Sequence, residues 1–388
     1  MYFARHPQTG SPVIQDTGLQ KRPGTMPQVN FRAPGTLLRP LALANLIANV
    51  ALVVTGAAVR LTGSGLGCPT WPRCTDQSYT TTSAMGVHGV IEFSNRILGV
   101  VLGLITLACL LAALLERPRR RSLVLLSMLA LGSVPAQAVL GGLTVLSKLN
   151  PWVVGLHFLL SVGLIAAAWA LWRRCDEGDQ PPQPLVPAAI RALARLTGAA
   201  ALAVIVAGVL VTGSGPHAGD EHAKRNGLDP QIVAQFHADL VFLLIGGSVA
   251  LWLALRAVAA PQRAIRAALA LVAIELAQGL IGFVQYFTHL PVVLVGAHML
   301  GATLVWIGAL AVLWSLRVRP VAAASPEVAA ASPEVAAASP EVAAASPEAA
   351  ATPPEVAAIP PEPVGPGRRA ESSSSDAAEI GRPVPATR

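Results

Sequence analysis

Residues 86–115 read GVHGVIEFSNRILGVVLGLITLACLLAALL. From Ile97 to Leu115 no side chain is charged, and about 20 apolar residues suffice to cross a bilayer as a helix. The polar residues gather at the start of the run. His88, Glu92, Asn95 and Arg96 stand at i, i+4, i+7 and i+8, which puts them on one helix face. Glu92 and Arg96 can pair across one turn, lowering the cost of both charges. An apolar span with ionisable groups on one face predicts a membrane helix that either fixes its packing with an ion pair or carries a site.

Seven more stretches qualify as spans: 38–59, 122–146, 151–172, 187–212, 231–256, 264–286 and 290–316. The whole chain agrees, with 388 residues, 53% hydrophobic and only 13% charged, against about 25% in soluble domains. Residues 1–320 hold 24 basic and 12 acidic residues, with the positive charge in short loops. That pattern fits the cytoplasmic flank of membrane helices better than a phosphate-binding face, and 5% aromatics are too few for a base-stacking platform. No nucleic acid partner is expected. Arginines alternate by loop. Arg117, Arg119, Arg120, Arg121, Arg173, Arg174, Arg191, Arg195, Arg256, Arg263, Arg266, Arg317 and Arg319 fall on one side, which predicts both termini in the cytoplasm.

The membrane region reads as a duplication. Thr62-Gly63-Ser64-Gly65 recurs as Thr212-Gly213-Ser214-Gly215, and Gln137, Gly141 and His157 recur as Gln278, Gly282 and His298. The expected fold is an all-α integral membrane protein of eight transmembrane helices in two pseudo-symmetric four-helix bundles, 38–172 and 173–317. Bundles of this kind hold cofactors between facing helices. Residues 1–37 read as a disordered cytoplasmic arm without a secretory signal. Residues 318–388 read as a disordered tail, because Pro-Glu recurs every seven residues from Pro326 to Pro361 and proline breaks a helix.

His157, His237 and His298 lie at similar depth, roughly 10 Å below the outer surface at 1.5 Å per residue. Imidazoles at one depth on partner helices suggest axial ligands for haem iron, while a lone bundle histidine can equally bond a neighbouring helix. Asp239 and Glu275 are the other ionisable groups within spans. The first outer loop, RLTGSGLGCPTWPRC at 60–74, holds Cys68 and Cys74, for which a bracing disulfide and a redox pair both remain open. Cys109 and Cys175 read as ordinary thiols.

The chain resembles the heme A synthase family over residues 38–317. The likeness rests on the 60–74 loop, Ile91-Glu92-Phe93-Ser94-Asn95-Arg96, the QAVLGGLTV segment at 137–145, QFH at 235–237 and the glycine-spaced run to His298. The resemblance implies oxidation of the C8 methyl of heme O, through hydroxymethyl and geminal diol, to the formyl group of heme A for cytochrome oxidase. It implies a haem b cofactor on His237 and His298, substrate haem at His157 in the N-terminal bundle, a catalytic Glu92 and a Cys68–Cys74 pair. Many members carry histidine where this chain has Asn95, next to Arg96. The substrate haem is therefore held by His157 alone, or His88 supplies the second imidazole. Propionate contacts fall to Arg60, Arg96 or His217. Asparagine at this position and an Ala/Arg/Pro-rich composition suggest an actinobacterial type and a bacterial cell membrane.

Expected partners are heme O, the protohaem farnesyltransferase that makes it, cytochrome oxidase assembly factors and membrane lipid; a homo-oligomer is compatible with the sequence. Two rival readings stand beside this one. A non-enzymatic di-haem b carrier linked to quinone explains the histidines but has no need of Glu92. A transporter built from two repeats would show broken helices at the midplane, whereas these polar groups cluster near the outer side.

Overall fold

A computed structural model of the chain describes residues 35–320. The expectations for the N-terminal arm up to residue 34 and for the Pro-Glu tail from residue 321 lie outside the described residues. Eight helices follow in order: α1 (Gly35–Leu61), α2 (Gly86–Leu115), α3 (Arg121–Leu146), α4 (Pro151–Cys175), α5 (Ala188–Ser214), α6 (Pro230–Ala257), α7 (Gln262–Phe287) and α8 (Val292–Ser315). All eight are long and apolar enough to cross a membrane, α2 most so with a mean hydropathy of 2.8. Their ends lie within about three residues of the expected spans.

Local chemistry sets several starts. The Asn150 side chain accepts from the Trp152 N–H ahead of α4, and Asp229 accepts from the Gln231 and Ile232 N–H groups ahead of α6. Each cap is followed by proline at the first helical position, where the missing N–H has no partner to lose.

In the first bundle α1 packs on α2 and α4, and α3 bridges α2 and α4. In the second, α5 packs on α6 and α8, with α7 bridging α6 and α8. The bundles meet through α1, α4, α5 and α8, where the Trp306 indole N–H donates to the Val162 carbonyl at 3.0 Å. Buried leucines and alanines fill each bundle, Leu251, Leu255 and Leu271 in the second and Leu38, Leu123 and Leu171 in the first. Elsewhere large apolar side chains face outward, as a bilayer solvent requires: Leu104 is 63% and Leu243 64% exposed.

The duplication extends to backbone detail. The α3–α4 connection passes through Lys148 and Leu149 at φ +54° and +58°, and the α7–α8 connection through His289 and Leu290 at +61° and +60°. In each, the second residue donates its N–H to a carbonyl five residues back at 2.7 Å, Thr144 and Gln285 respectively. The same left-handed turn thus sets the start of α4 and of α8.

On the arginine-rich face, β1 (Gln183–Pro184) pairs antiparallel with β2 (Arg317–Val318). The boundary expected between bundle and tail at 317/318 falls inside this strand, because the chain leaving α8 finds backbone partners on the α4–α5 connection.

Candidate functional site

The second bundle brings two imidazoles together. His237 is the seventh residue after Pro230 and His298 the sixth after Val292, so α6 and α8 carry them to one level. Their ring centroids are 6.4 Å apart with planes inclined by 69°. His237 Nδ1 lies 3.1 Å from the Val204 carbonyl, which can only accept, so Nδ1 carries the proton and Nε2 keeps its lone pair. His298 Nδ1 is buried without a partner among the described residues. Glycines make room for both rings. A Cβ on Gly208 would stand 3.2 Å from His237 Cε1, and one on Gly282 would stand 3.3 Å from His298 Cε1. Gln278 Nε2 donates to the His298 carbonyl at 2.6 Å, tying α7 to α8 beside the ring.

The first bundle repeats half of this arrangement. His157, six residues after Pro151, lies against Gly141, where a Cβ would again be 3.3 Å from Cε1. Gln137 Nε2 donates to the His157 carbonyl at 3.3 Å and to Ser161 Oγ at 2.7 Å. On the facing helix the place of His237 is taken by Asn95, whose Oδ1 accepts from Thr55 Oγ1 at 2.7 Å. The glycine goes with the histidine: aligning the two Thr-Gly-Ser-Gly motifs sets Ala58 opposite Gly208.

Glu92 and Arg96 have Ala234 and Ala238 as counterparts, so this pair belongs to the first bundle alone. Glu92 is buried. Its Oε1 accepts from Arg96 at 2.6 Å and its Oε2 from the Cys68 N–H at 2.6 Å. Arg96 also donates to the carbonyls of Cys68, Thr70 and Arg73. Cys68 and Cys74 are joined as a disulfide, both fully buried, with Cα atoms 4.5 Å apart. The disulfide closes a loop whose backbone grips the span-two carboxylate, an arrangement compatible with both the bracing and the redox-pair readings. The loop also lays Trp71 against Gly142, where any Cβ would collide with the indole. Phe283 occupies the corresponding position in the second bundle.

The polar face expected on α2 therefore divides. Glu92 and Arg96 stay together, Asn95 turns to α1, and His88 is exposed with Nδ1 2.9 Å from Ser64 Oγ. Arg60 is half-buried between the halves, donating to the Thr212 carbonyl at 2.8 Å, while Nε has no partner among the described residues. His217 Nε2 donates to the Leu290 carbonyl at 3.0 Å. Glu275 is buried with Ser248 Oγ donating to it at 2.8 Å, and Asp239 is exposed, accepting from Gln235. Cys109 and Cys175 are free thiols. Among the described residues no three His, Cys, Asp or Glu side chains converge on a bare metal ion. A metal would be taken from two sides, by His237 and His298.

Sequence reading missed Gly208, Val204 and Thr55 as partners of this site. The Thr-Gly-Ser-Gly alignment held the signal for Gly208, since it pairs glycine with the histidine-bearing half.

Fold and site define a class: a multi-pass helical membrane protein of two related bundles, each placing an imidazole from its fourth helix beside a glycine of its third. The chain belongs to the COX15-CtaA family of cytochrome oxidase assembly proteins, which it matches over residues 39–310. Curated relatives include the heme A synthase of Symbiobacterium thermophilum, 30% identical over 38% of this chain and 51% of that protein. The heme A synthase of Shewanella oneidensis is 30% identical over 39% and 52%. A segment is also 30% identical to the protoheme IX farnesyltransferase of Halobacterium salinarum, over 37% of this chain and 36% of that protein. The matches span at most about half the length of these relatives.

Proposed function

We propose that the protein is a heme A synthase, an oxidoreductase that converts the C8 methyl group of heme O to the formyl group of heme A in two oxidations. One observation carries this reading: the paired histidines of the second bundle face an unequal pair, His157 and Asn95, in the first, and Glu92 is present only there. A plain electron carrier calls for two equal sites. The family and the names of its relatives supply the chemistry.

His237 and His298 are assigned to a resident haem b. The two imidazoles, 6.4 Å apart by ring centroid on facing helices, would hold the haem iron between them. The bare Nε2 of His237 and the glycine cradles at Gly208 and Gly282 suit the same role. When bound, that group supplies one-electron redox chemistry. Heme O is assigned to the first bundle with His157 as its iron ligand. Asn95 is committed to Thr55 and His88 to Ser64, which favours a single imidazole there.

Glu92 is assigned as the acceptor of the proton that leaves as the methyl carbon is oxidised. The Cys68 N–H and Arg96 guanidinium, one on each oxygen, hold the carboxylate in a single rotamer, which suits a group acting at a fixed atom. Both termini are assigned to the cytoplasm and the disulfide loop to the oxidising side of a bacterial cell membrane, from the one-sided arginines. The farnesyltransferase named among the relatives makes direct delivery of farnesylated haem a coherent supply route.

Haem extraction from membranes of heme O-producing cells, with and without the protein, tests the reading. A new heme A or hydroxymethyl-haem peak is expected. Bound haem b with heme O unchanged, with reductant and oxidant supplied, would overturn it in favour of electron transfer.

A further inference from the structure

On the arginine-rich face, some cations are paired with carboxylates and others are not. Arg39, Arg120, Arg174 and Arg319 each lie within 4.0 Å of a carboxylate of Asp176, Glu177 or Asp179. Arg191, Arg195 and Arg317 have no such partner among the described residues, yet they converge. All three line one open cleft between the first turns of α5 and the end of α8.

Among the described residues no carboxylate lines this cavity. Arg191 and Arg195 stand at i, i+4 on α5, an arrangement that repels unless an anion sits between them. Arg191 donates to the Val186 carbonyl at 3.2 Å, which anchors its guanidinium at the mouth. Arg317 is held from the other side: its backbone pairs with Pro184, and its guanidinium lies 4.1 Å over the Trp314 ring. Arg317 Nε is buried without a hydrogen-bond partner among the described residues. Burial holds the Arg317 pKa below its ordinary value; Glu177 opposes this, and Arg319 and Arg174 add smaller lowering effects. Glu177 is itself engaged by Arg174 at 3.0 Å.

The opposite wall is apolar, formed by Leu313 and Leu316 with Pro182 and Pro184. Leu313 lies in the last turn of a spanning helix, at the level where headgroup gives way to acyl chain. A free inorganic anion has no use for that wall.

We propose that this cavity binds the phosphodiester headgroup of an anionic phospholipid, the three guanidiniums taking the phosphate and the leucines the start of the acyl chains. Basic pockets between spanning helices on a cytoplasmic face are suited to such headgroups. The site clamps the α4–α5 connection to the end of α8, so it joins the start and the end of the second bundle.

Native mass spectrometry of the full chain in detergent, titrated with phosphatidylglycerol or phosphatidylcholine, tests it. One phosphatidylglycerol per chain should be retained in preference to phosphatidylcholine. Affinity should fall about a hundredfold in the R191Q/R195Q/R317Q variant and about fivefold in R195Q. Arg195 is exposed and makes no hydrogen bond among the described residues, so R195Q reports even if the triple variant does not fold. Equal retention of phosphatidylglycerol by R195Q and the unaltered chain overturns the site. Displacement by millimolar inorganic phosphate would make it a free-anion site. Displacement by a peptide of residues 325–348, which carries the Pro-Glu repeat, would assign it to the chain's own tail. Either result overturns the lipid assignment.

Discussion

The backbone N–H of Cys68 donates to Glu92 Oε2 at 2.6 Å, so a disulfide-closed loop holds the carboxylate of a membrane helix. Arg96 completes the grip by binding Glu92 Oε1 and the Cys68 carbonyl together. Opening the loop should therefore act on the first bundle alone. Cys68→Ser with Cys74→Ser is expected to leave haem b content unchanged and to lower heme A formation by about 10- to 100-fold, the scale of a misplacement near 1 Å. Haem extraction and a reduced-minus-oxidised spectrum measure the two quantities. Full product yield would sever the loop from the chemistry.

Glu92 itself separates charge from shape. Glutamine keeps an acceptor oxygen toward the Cys68 N–H but removes the negative charge that Arg96 pairs with. Glu92→Gln and Glu92→Ala should both retain haem b and lose product by about 10²- to 10⁴-fold, the usual contribution of a placed acid–base group. A glutamine variant with unimpaired yield would reduce Glu92 to a packing role.

The glycine cradles predict which half fails. A Cβ at position 282 would approach His298 to 3.3 Å and one at 208 would approach His237 to 3.2 Å, forcing the rings to shift. Gly282→Ala and Gly208→Ala should cost about 1–3 kcal/mol of stability as overpacked sites and reduce or broaden the haem b absorbance. Gly141→Ala makes the same approach to His157 and should spare haem b while lowering product. A Gly141→Ala protein that loses haem b would reverse the division of labour between the bundles.

Arg174 predicts stability on the opposite face. It donates to Glu177 Oε2 at 3.0 Å, the Gly178 carbonyl at 2.9 Å, Ser122 Oγ at 2.9 Å and Asp179 Oδ1 at 3.0 Å. Its side chain is 8% exposed and that of Glu177 is 11%, so Arg174→Ala should destabilise by about 3 kcal/mol, read as a lower melting midpoint in detergent. The Arg120 hydrogen bond, against a smaller opposing effect of burial, holds the Asp179 carboxyl below its ordinary value. A lowered carboxyl pKa stabilises the fold fully above about pH 4, and that stability is lost as pH falls through the lowered value. Melting midpoints should therefore drop below pH 4. The drop should be smaller in Asp179→Asn, which has no carboxylate left to protonate.

Much of this was legible in the sequence, for physical reasons that also set the limit. The spans are fixed by bilayer thickness, so Ile97–Leu115 announces itself without tertiary information. The Glu92–Arg96 pair is local to one helix turn, and the repeated Gln137/Gln278 and His157/His298 expose the duplication. The Cys68 N–H at Glu92 is a contact across 24 residues, donated by a backbone group that carries no sequence signature. The same holds for the Val204 carbonyl at His237. The pairing of β1 with β2 involves two residues a side, too few to show any alternation.

The final prediction turns the asymmetry of the halves into a test. In the second bundle a glycine at 208 admits the imidazole of His237; in the first, the motif alignment sets Ala58 at the glycine's position, and Asn95 is hydrogen-bonded to Thr55. Asn95→His alone should fail to make a second bis-imidazole site, because the Ala58 methyl group occupies the space that glycine leaves open in the other half. Adding Ala58→Gly supplies that space, with His157 as the counterpart of His298 for the other side. The double variant should hold close to two tightly bound haems per chain by pyridine haemochrome assay, with a second low-spin component in its spectrum. Heme A output should fall, since a ligand on both faces of the iron retains a group that must leave as product. If Asn95→His alone reaches the haem content of the double variant, the alanine is not what excludes the second ligand. If neither gains haem, then His157 does not face position 95 across a haem-sized gap, and the substrate assignment to the first bundle falls with it.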